Sequence, residues 1–175
     1  TPHPFSTPLF FRHEIPKRNG QGHRKVWETF LLKSQYKALA RRLTSFFSFK
    51  LTPFPHPRTF GYVGGRNIKE NAQDHCGHRH LLSVDLKDFF PSISTQRIDD
   101  TFQTLGIEPT VAKALGRFIT ISGTLPLGLA TSPIIANAIC LPMDKDLHAL
   151  AETTGATFSR YADDISFSSN DAIPS

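Results

Sequence analysis

Acidic residues are scarce in the first half of this 175-residue chain, cysteine is nearly absent throughout, and no long apolar run occurs. The two cysteines, Cys76 and Cys140, stand far apart in a chain large enough to build its own core. No disulfide framework is needed, and a reducing, cytoplasmic setting is expected. The most apolar stretch, Ile134 to Met143, is broken by Asn137 and Pro142. It is about half of the ~20 residues a membrane span needs, so no bilayer crossing is expected. The chain opens at Thr1 without a basic segment leading into an apolar one, which reads as a fragment boundary rather than a secretion signal. No repeat or low-complexity tract occurs. The remaining composition, 39% hydrophobic and 20% charged, fits one globular domain or part of a larger one and excludes a disordered tail.

The net charge of +5 conceals a division. Residues 1–80 hold 14 Lys and Arg against 4 Asp and Glu, whereas residues 81–175 hold 6 against 11. The basic half also contains seven of the eight histidines and aromatics such as Trp27, Phe60 and Tyr62. Cations interleaved with aromatic rings suit a surface that holds a phosphate backbone and stacks on bases. A solvated basic face over a Phe-rich core would give the same composition.

Residues 1–24, rich in Pro, His and Gly, read as an extended segment leading into a turn at Asn19-Gly20-Gln21-Gly22. From Ser34, Tyr36, Leu39, Ala40, Leu43, Phe46 and Phe47 recur at helical spacing, with Lys37, Arg41 and Arg42 on the outer face. Leu51 to Pro57, with three prolines, is a loop. His80 to Leu86 reads as a buried strand with Leu82 and Val84 on one face and Ser83 and Asp85 on the other. Ser94 or Thr95 caps a helix with Ile98, Phe102 and Leu105 inward, ended by Gly106. Pro109 opens a second helix with Val111, Leu115 and Phe118 inward. Gly123 to Ala130 is a loop, and Ser132-Pro133 starts a long helix ending near Gly155 and kinked at Pro142. Thr157 to Ser168 reads as two strands around Tyr161-Ala162-Asp163-Asp164.

Adjacent acids at a hairpin turn repel each other, so Asp163-Asp164 invites a cation, although aspartates also simply favour turns. Mg²⁺ is held by one or two carboxylates together with substrate phosphates, and a pair of such ions can serve both the attacking and the leaving oxygen of a phosphoryl transfer. Asp85 at a strand end and Asp163 at a turn are the candidates to meet around them. The cluster His75-Cys76-x-His78-x-His80 also admits a zinc reading, but no second ligand cluster of suitable spacing follows, and a structural His75 is favoured.

Arg160-Tyr-Ala-Asp-Asp164 followed by Ile165-Ser-Phe-Ser168 resembles the catalytic hairpin of reverse transcriptases, and closely that of the bacterial retron-type enzymes. Val84-Asp85-Leu-Lys-Asp-Phe-Phe-Pro-Ser-Ile93 is similar to the first aspartate motif of that family. Leu125-Pro-Leu-Gly-Leu-Ala-Thr-Ser-Pro133 with Asn137 is similar to its template-loop and helix motif. Ile15-Pro-Lys-Arg-Asn-Gly20 with Arg24 resembles the first fingers block. Asn71-Ala-Gln-Asp-His75 resembles the Asn-Ala-x-x-His signature of retron-type members. Five blocks in order span nearly the whole chain.

The resemblance implies an α+β fold of fingers and palm, an antiparallel palm sheet with packed helices and the thumb absent, since the chain stops just past the catalytic hairpin. It divides the chain into fingers (1–80), a first palm segment (81–94), a helical insertion (95–124) and a second palm segment (125–175). It implies an RNA-directed DNA polymerase that adds deoxynucleotides to a primer 3′-hydroxyl by two-metal phosphoryl transfer. Two Mg²⁺ ions, with Mn²⁺ able to substitute, would be held by Asp85, Leu86, Asp163 and Asp164. Lys17 and Arg24 would meet the incoming triphosphate together with Phe90, Leu127 and Gly128. Phe90 would exclude a 2′-hydroxyl. Arg41, Arg42, Arg66, Asn71 and His75 would lie along nucleic acid. The implied partners are an RNA template, a DNA or RNA primer and dNTPs, extending to a structured non-coding RNA and a defence effector protein, with no membrane. Leu127 departs from the usual Gln of the family, which keeps open a template-independent polymerase of the same fold. An RNA-binding scaffold with a vestigial site is a further alternative.

Overall fold

The structure is a computed structural model that describes residues 9–17 and 22–171, so most of the expected Asn19–Gly22 turn lies outside it. The chain forms two compact units, each built from two separate stretches: residues up to 43 with 90–132, and 44–89 with the remainder from 133. These crossings differ from the divisions at 80, 94 and 124 expected from the motifs.

In the first unit, β1 (Phe11–Pro16) and β2 (His23–Glu28) pair antiparallel from Phe11↔Glu28 to Pro16↔His23. The extended segment expected here is therefore a hairpin. Its strands keep their charged side chains in solvent and partly bury Val26 and Trp27. The Trp27 N–H donates to the Leu127 carbonyl at 2.7 Å, fastening β2 to the 123–130 loop. Thr29 Oγ1 accepts the Leu32 N–H just before α1 (Lys33–Lys50). That helix buries Tyr36, Ala40, Leu43 and Phe47 and exposes Lys37, Arg41 and Arg42, as its pattern predicts. Tyr36 stacks on Phe118 with ring centroids 4.8 Å apart and donates its hydroxyl to the Phe118 carbonyl. Burial pushes its phenol up to about 12.

Ser94 caps α3 (Thr95–Thr104), and Pro109 opens α4 (Pro109–Ile119). The inward face of α4 differs from the expected one. Val111 and Phe118 are exposed, while Ala112, Gly116 and Ile119 are buried. Close helix approach selects the small face: a Cβ on Gly116 would lie 1.9 Å from Asp99 Oδ1 of α3.

The second unit contains α2 (Ile68–Gln73), capped by Asn67, and a three-stranded antiparallel sheet in the order β3 (His80–Asp85), β5 (Asp164–Ser169), β4 (Thr157–Tyr161). Ala151 of α5 (Ser132–Thr153) packs with Phe158 and Ile165 in its core, flanked by Met143, Leu147 and Phe167. The expected kink at Pro142 does not interrupt α5. Pro142, itself exposed, only removes the N–H that would meet the Ala138 carbonyl. β3 is not the buried strand expected: all six residues are exposed, whereas β4 at the other edge of the sheet is covered.

Candidate active site

Strand pairing sets the position of the carboxylates. Asp85 closes β3 and lies directly opposite Asp164, which opens β5, and Tyr161 of β4 is the other partner of Asp164. Cross-strand partners project to the same side, so Asp85 and Asp164 share a face with Ser83, Ser159, Ser166 and Ser168. The opposite face carries Val84, Phe158, Arg160, Ile165 and Phe167, of which Phe158, Ile165 and Phe167 pack in the apolar core while Val84 is exposed. Asp163 lies in the turn, and its carbonyl accepts the Leu86 N–H at 3.0 Å. This bond ties the end of β3 to the hairpin. Leu86 itself turns its side chain into the Phe158 cluster.

The turn is held on two sides. Ala162 adopts φ +59°, a left-handed conformation that costs a non-glycine residue about 1–2 kcal/mol, and it is buried. Behind it, Arg160 is fully buried and donates from Nη1 to the Ala162 carbonyl at 2.8 Å. Nε and Nη2 of Arg160 grip Asp144 Oδ1 and Oδ2 at 2.6 and 2.7 Å, and Nη2 also reaches Asn137 Oδ1 at 3.1 Å. Burial opposes the guanidinium charge, but the Asp144 hydrogen bonds and negative charge outweigh it, and the Arg160 pKa lies above its ordinary value. On the other side, a Cβ on Gly61 would come within 2.2 Å of the Ala162 nitrogen, so only glycine admits the turn there.

The Asn-Ala-x-x-His segment meets the polar face of the sheet. His75 Nδ1 and Nε2 lie 2.7 Å from Ser168 Oγ and from Ser159 Oγ, and His78 Nδ1 lies 2.6 Å from Ser168 Oγ. Desolvation lowers the His75 pKa. Both ring nitrogens are thus engaged within the fold. Asn71 Oδ1 is buried without a hydrogen-bond partner among the described residues. Arg66 covers the Phe60 ring at 4.7 Å and donates to the Pro57 carbonyl at 2.6 Å.

In the first unit, Lys17 follows β1 with its N–H on the Gly22 carbonyl, and Arg24 is exposed on β2 opposite Ile15. Gly128 has φ +113°, and a Cβ there would lie 2.3 Å from the Trp27 carbonyl oxygen. The template-loop glycine therefore gives room to β2. A cavity of about 500 Å³ opens beside it, lined by Ile15, Val26, Trp27, Lys33, Lys37 and Gly128 among others. Phe89 and Phe90 are both buried.

The donors in the second unit are hard carboxylate oxygens. Among the described residues no three His, Cys, Asp or Glu side chains form a group able to hold a metal by themselves. The carboxylates of Asp85, Asp163 and Asp164 are the kind of donor that Mg²⁺ takes, one or two from a protein with substrate phosphates and water completing its shell.

The family model described as "Reverse transcriptase (RNA-dependent DNA polymerase)" matches residues 15–173. The chain belongs to the reverse transcriptase family. It is 37% identical to the retron Mx65 reverse transcriptase of Myxococcus xanthus, over an alignment covering 90% of this chain and 40% of that protein. It is 36% identical to the retron Mx162 enzyme of the same organism (88% and 34% covered) and 31% identical to the retron Ec86 enzyme of Escherichia coli (90% and 49% covered). The chain thus spans less than half the length of these relatives. Solved structures show the same fold at low identity. Candida albicans telomerase, solved with a fragment of telomeric RNA, has a TM-score of 0.66 at 9% identity, covering 94% of this chain and 38% of that one. Apo telomerase of Candida tropicalis has a TM-score of 0.59 at 12% identity, covering 91% and 43%. The fingers–palm architecture expected from the motifs is thereby shown.

Sequence reading placed the three aspartates of this reverse transcriptase family member but missed the buried partners behind the turn, Arg160, Asp144 and Thr59. Arg160 was seen only as a flanking charge. The available signal was Asp144 within a largely apolar helix, since a carboxylate on a buried face needs a cation.

Proposed function

We propose that this chain is the fingers and first palm part of a retron-type RNA-directed DNA polymerase that works in the cytoplasm on a structured non-coding RNA. The observation that supports it most directly is the strand register, with Asp85 opposite Asp164 and Leu86 bonded to Asp163, which gathers the motif carboxylates at one end of a polar sheet face. In this reading Asp85, Asp163 and Asp164, with the Leu86 carbonyl, hold two Mg²⁺ ions. When bound, these ions activate the primer hydroxyl and stabilise the leaving oxygen of the triphosphate. Lys17 and Arg24 bind the triphosphate of the incoming dNTP, and the Leu127-Gly128 loop holds the template-side edge of the nucleotide. Arg41, Arg42, Arg66 and Asn71 line the path of the RNA template and primer, and His75, held by Ser168 and Ser159, fixes its segment against the sheet. Phe90 excludes ribonucleotides, because a ring against C2′ leaves a hydroxyl neither room nor a hydrogen-bond partner. A defence effector is the further partner that this retron assignment brings.

The test is primer extension on an RNA template by the full-length protein. Asp85→Asn and Asp163→Asn are expected to abolish Mg²⁺-dependent incorporation while leaving the fold intact, because mutual repulsion makes these acids a folding cost. Near-wild-type extension by either variant refutes the assignment of the carboxylates. Extension that ignores the template sequence favours a template-independent polymerase, the reading Leu127 keeps open.

A further inference from the structure

Arg160 is an unusual residue to find fully buried beside a cluster of carboxylates on the opposite face of the same sheet. Its guanidinium makes four hydrogen bonds: two to Asp144, one to Asn137 and one to the Ala162 carbonyl. The supporting groups are themselves fixed. Asp144 Oδ2 also accepts the Thr59 hydroxyl at 3.0 Å, and Asn137 Nδ2 donates to the Gly61 carbonyl at 3.1 Å. Gly61 in turn presses on the Ala162 backbone. The Phe60 N–H donates to the Arg160 carbonyl and the Arg160 N–H to the Arg58 carbonyl, at 2.8 and 2.9 Å, so the 58–61 segment runs beside β4. The result is a closed circuit of side chains and backbone with one output. The carbonyl of Ala162 belongs to the peptide that leads directly into Asp163, so its direction sets the direction of that aspartate.

We propose that Arg160 is a positioning residue, which aims the Asp163 carboxylate by clamping the Ala162 carbonyl, with Asp144, Asn137 and Thr59 holding the guanidinium in plane. The proposal rests on the polymerase reading for its consequence in turnover but not for its consequence in metal affinity. A planar fork is needed to serve Asp144 and Ala162 at once, and lysine, a point charge on a flexible stem, cannot do both. Misplacing a reacting group by about 1 Å can cost roughly a hundredfold in rate.

The experiment uses the full-length protein carrying Arg160→Lys, Thr59→Val, Thr59→Ser or Ile98→Ala, the last a core truncation on α3 that touches no member of the circuit. Two quantities are read besides the melting temperature: Mn²⁺ affinity by electron paramagnetic resonance without nucleotide, and kcat and KM for dNTP. Arg160→Lys is expected to weaken Mn²⁺ binding about tenfold and to lower kcat about a hundredfold with KM little changed. Thr59→Val, which removes only a support, should move both in the same direction by less. Thr59→Ser, which keeps the hydroxyl, should restore them, and Ile98→Ala should lower the melting temperature alone. If Arg160→Lys does not fold, the Thr59 pair decides. Losses that track melting temperature across all four variants, or unchanged Mn²⁺ affinity in Arg160→Lys, overturn the proposal. Arg160-dependent Mn²⁺ binding in a wild type that extends no primer upholds the positioning role and sinks the polymerase reading instead.

Discussion

Replacing Asp144 with asparagine changes one atom in a place where the structure leaves little room for adjustment. Asp144 is 1% exposed and accepts three hydrogen bonds: Arg160 Nε at 2.6 Å, Arg160 Nη2 at 2.7 Å and Thr59 Oγ1 at 3.0 Å. In Asp144→Asn one side-chain atom becomes an N–H₂ facing a guanidinium N–H or the Thr59 hydroxyl, and the guanidinium loses its ion-pair partner. Breaking a buried pair by removing one member costs about 3–5 kcal/mol, against a total stability of about 5–15 kcal/mol for a typical domain. For a domain of this size each kcal/mol is worth roughly 2–4 °C, so the melting temperature should fall by about 10 °C. The double variant Arg160→Met/Asp144→Leu should lose much less than the two single changes together, because neither charge is left stranded. Thermal melting followed by circular dichroism on the full-length protein gives both numbers. A loss below about 1 kcal/mol for Asp144→Asn, the range of an exposed pair, would show that water reaches the guanidinium and that the circuit is not sealed.

Gly61→Ala should destabilise by about 1–3 kcal/mol and lower primer extension, since its Cβ would lie 2.2 Å from the Ala162 nitrogen; unchanged melting would mean that the 58–61 segment simply shifts. Stability should hold above pH 6.5 and fall as the pH drops below it, because burial lowers the His56 and His75 pKa values from 6.5, so the unfolded chain binds more protons in that window. A melting temperature flat from pH 7.5 to about 5.5, or the same slope in His75→Gln, would remove His75 from this account.

Long periodic elements and motif residues were legible in the sequence, and the exceptions have physical causes. Ser94, Pro109 and Ser132 mark helix starts that the structure bears out, because caps and a first-turn proline act through local backbone chemistry. The β1–β2 hairpin was not legible, since its strands are rich in charge and solvent-exposed and no alternation signals a buried face. The inward face of α4 was misread because size rather than hydropathy selects it, with Gly116 admitting Asp99. The leucines and valine of β3 predict a buried strand, but apolar composition does not say which edge of a sheet is covered, and here it is β4 and not β3. Asp85, Asp163 and Asp164 were found by motif, and pairing brings Asp85 and Asp164 together. The residues behind them belong to three separate segments that only the fold assembles.

The pairing of β3 with β5 joins His80 to Ser169, nearly the whole second half of the chain apart. On a ribosome adding about 5–20 residues per second, β3 waits on the order of 5–20 s for its neighbour to be made. During that interval Leu81, Leu82 and Val84 have no sheet partner among the described residues, and Asp144 emerges before Arg160. The carboxylate end of the sheet is therefore among the last parts of this stretch to form, and until β5 arrives β3 has both of its edges unpaired rather than one. Slower synthesis across residues 86–157 would lengthen the interval in which both edges are open.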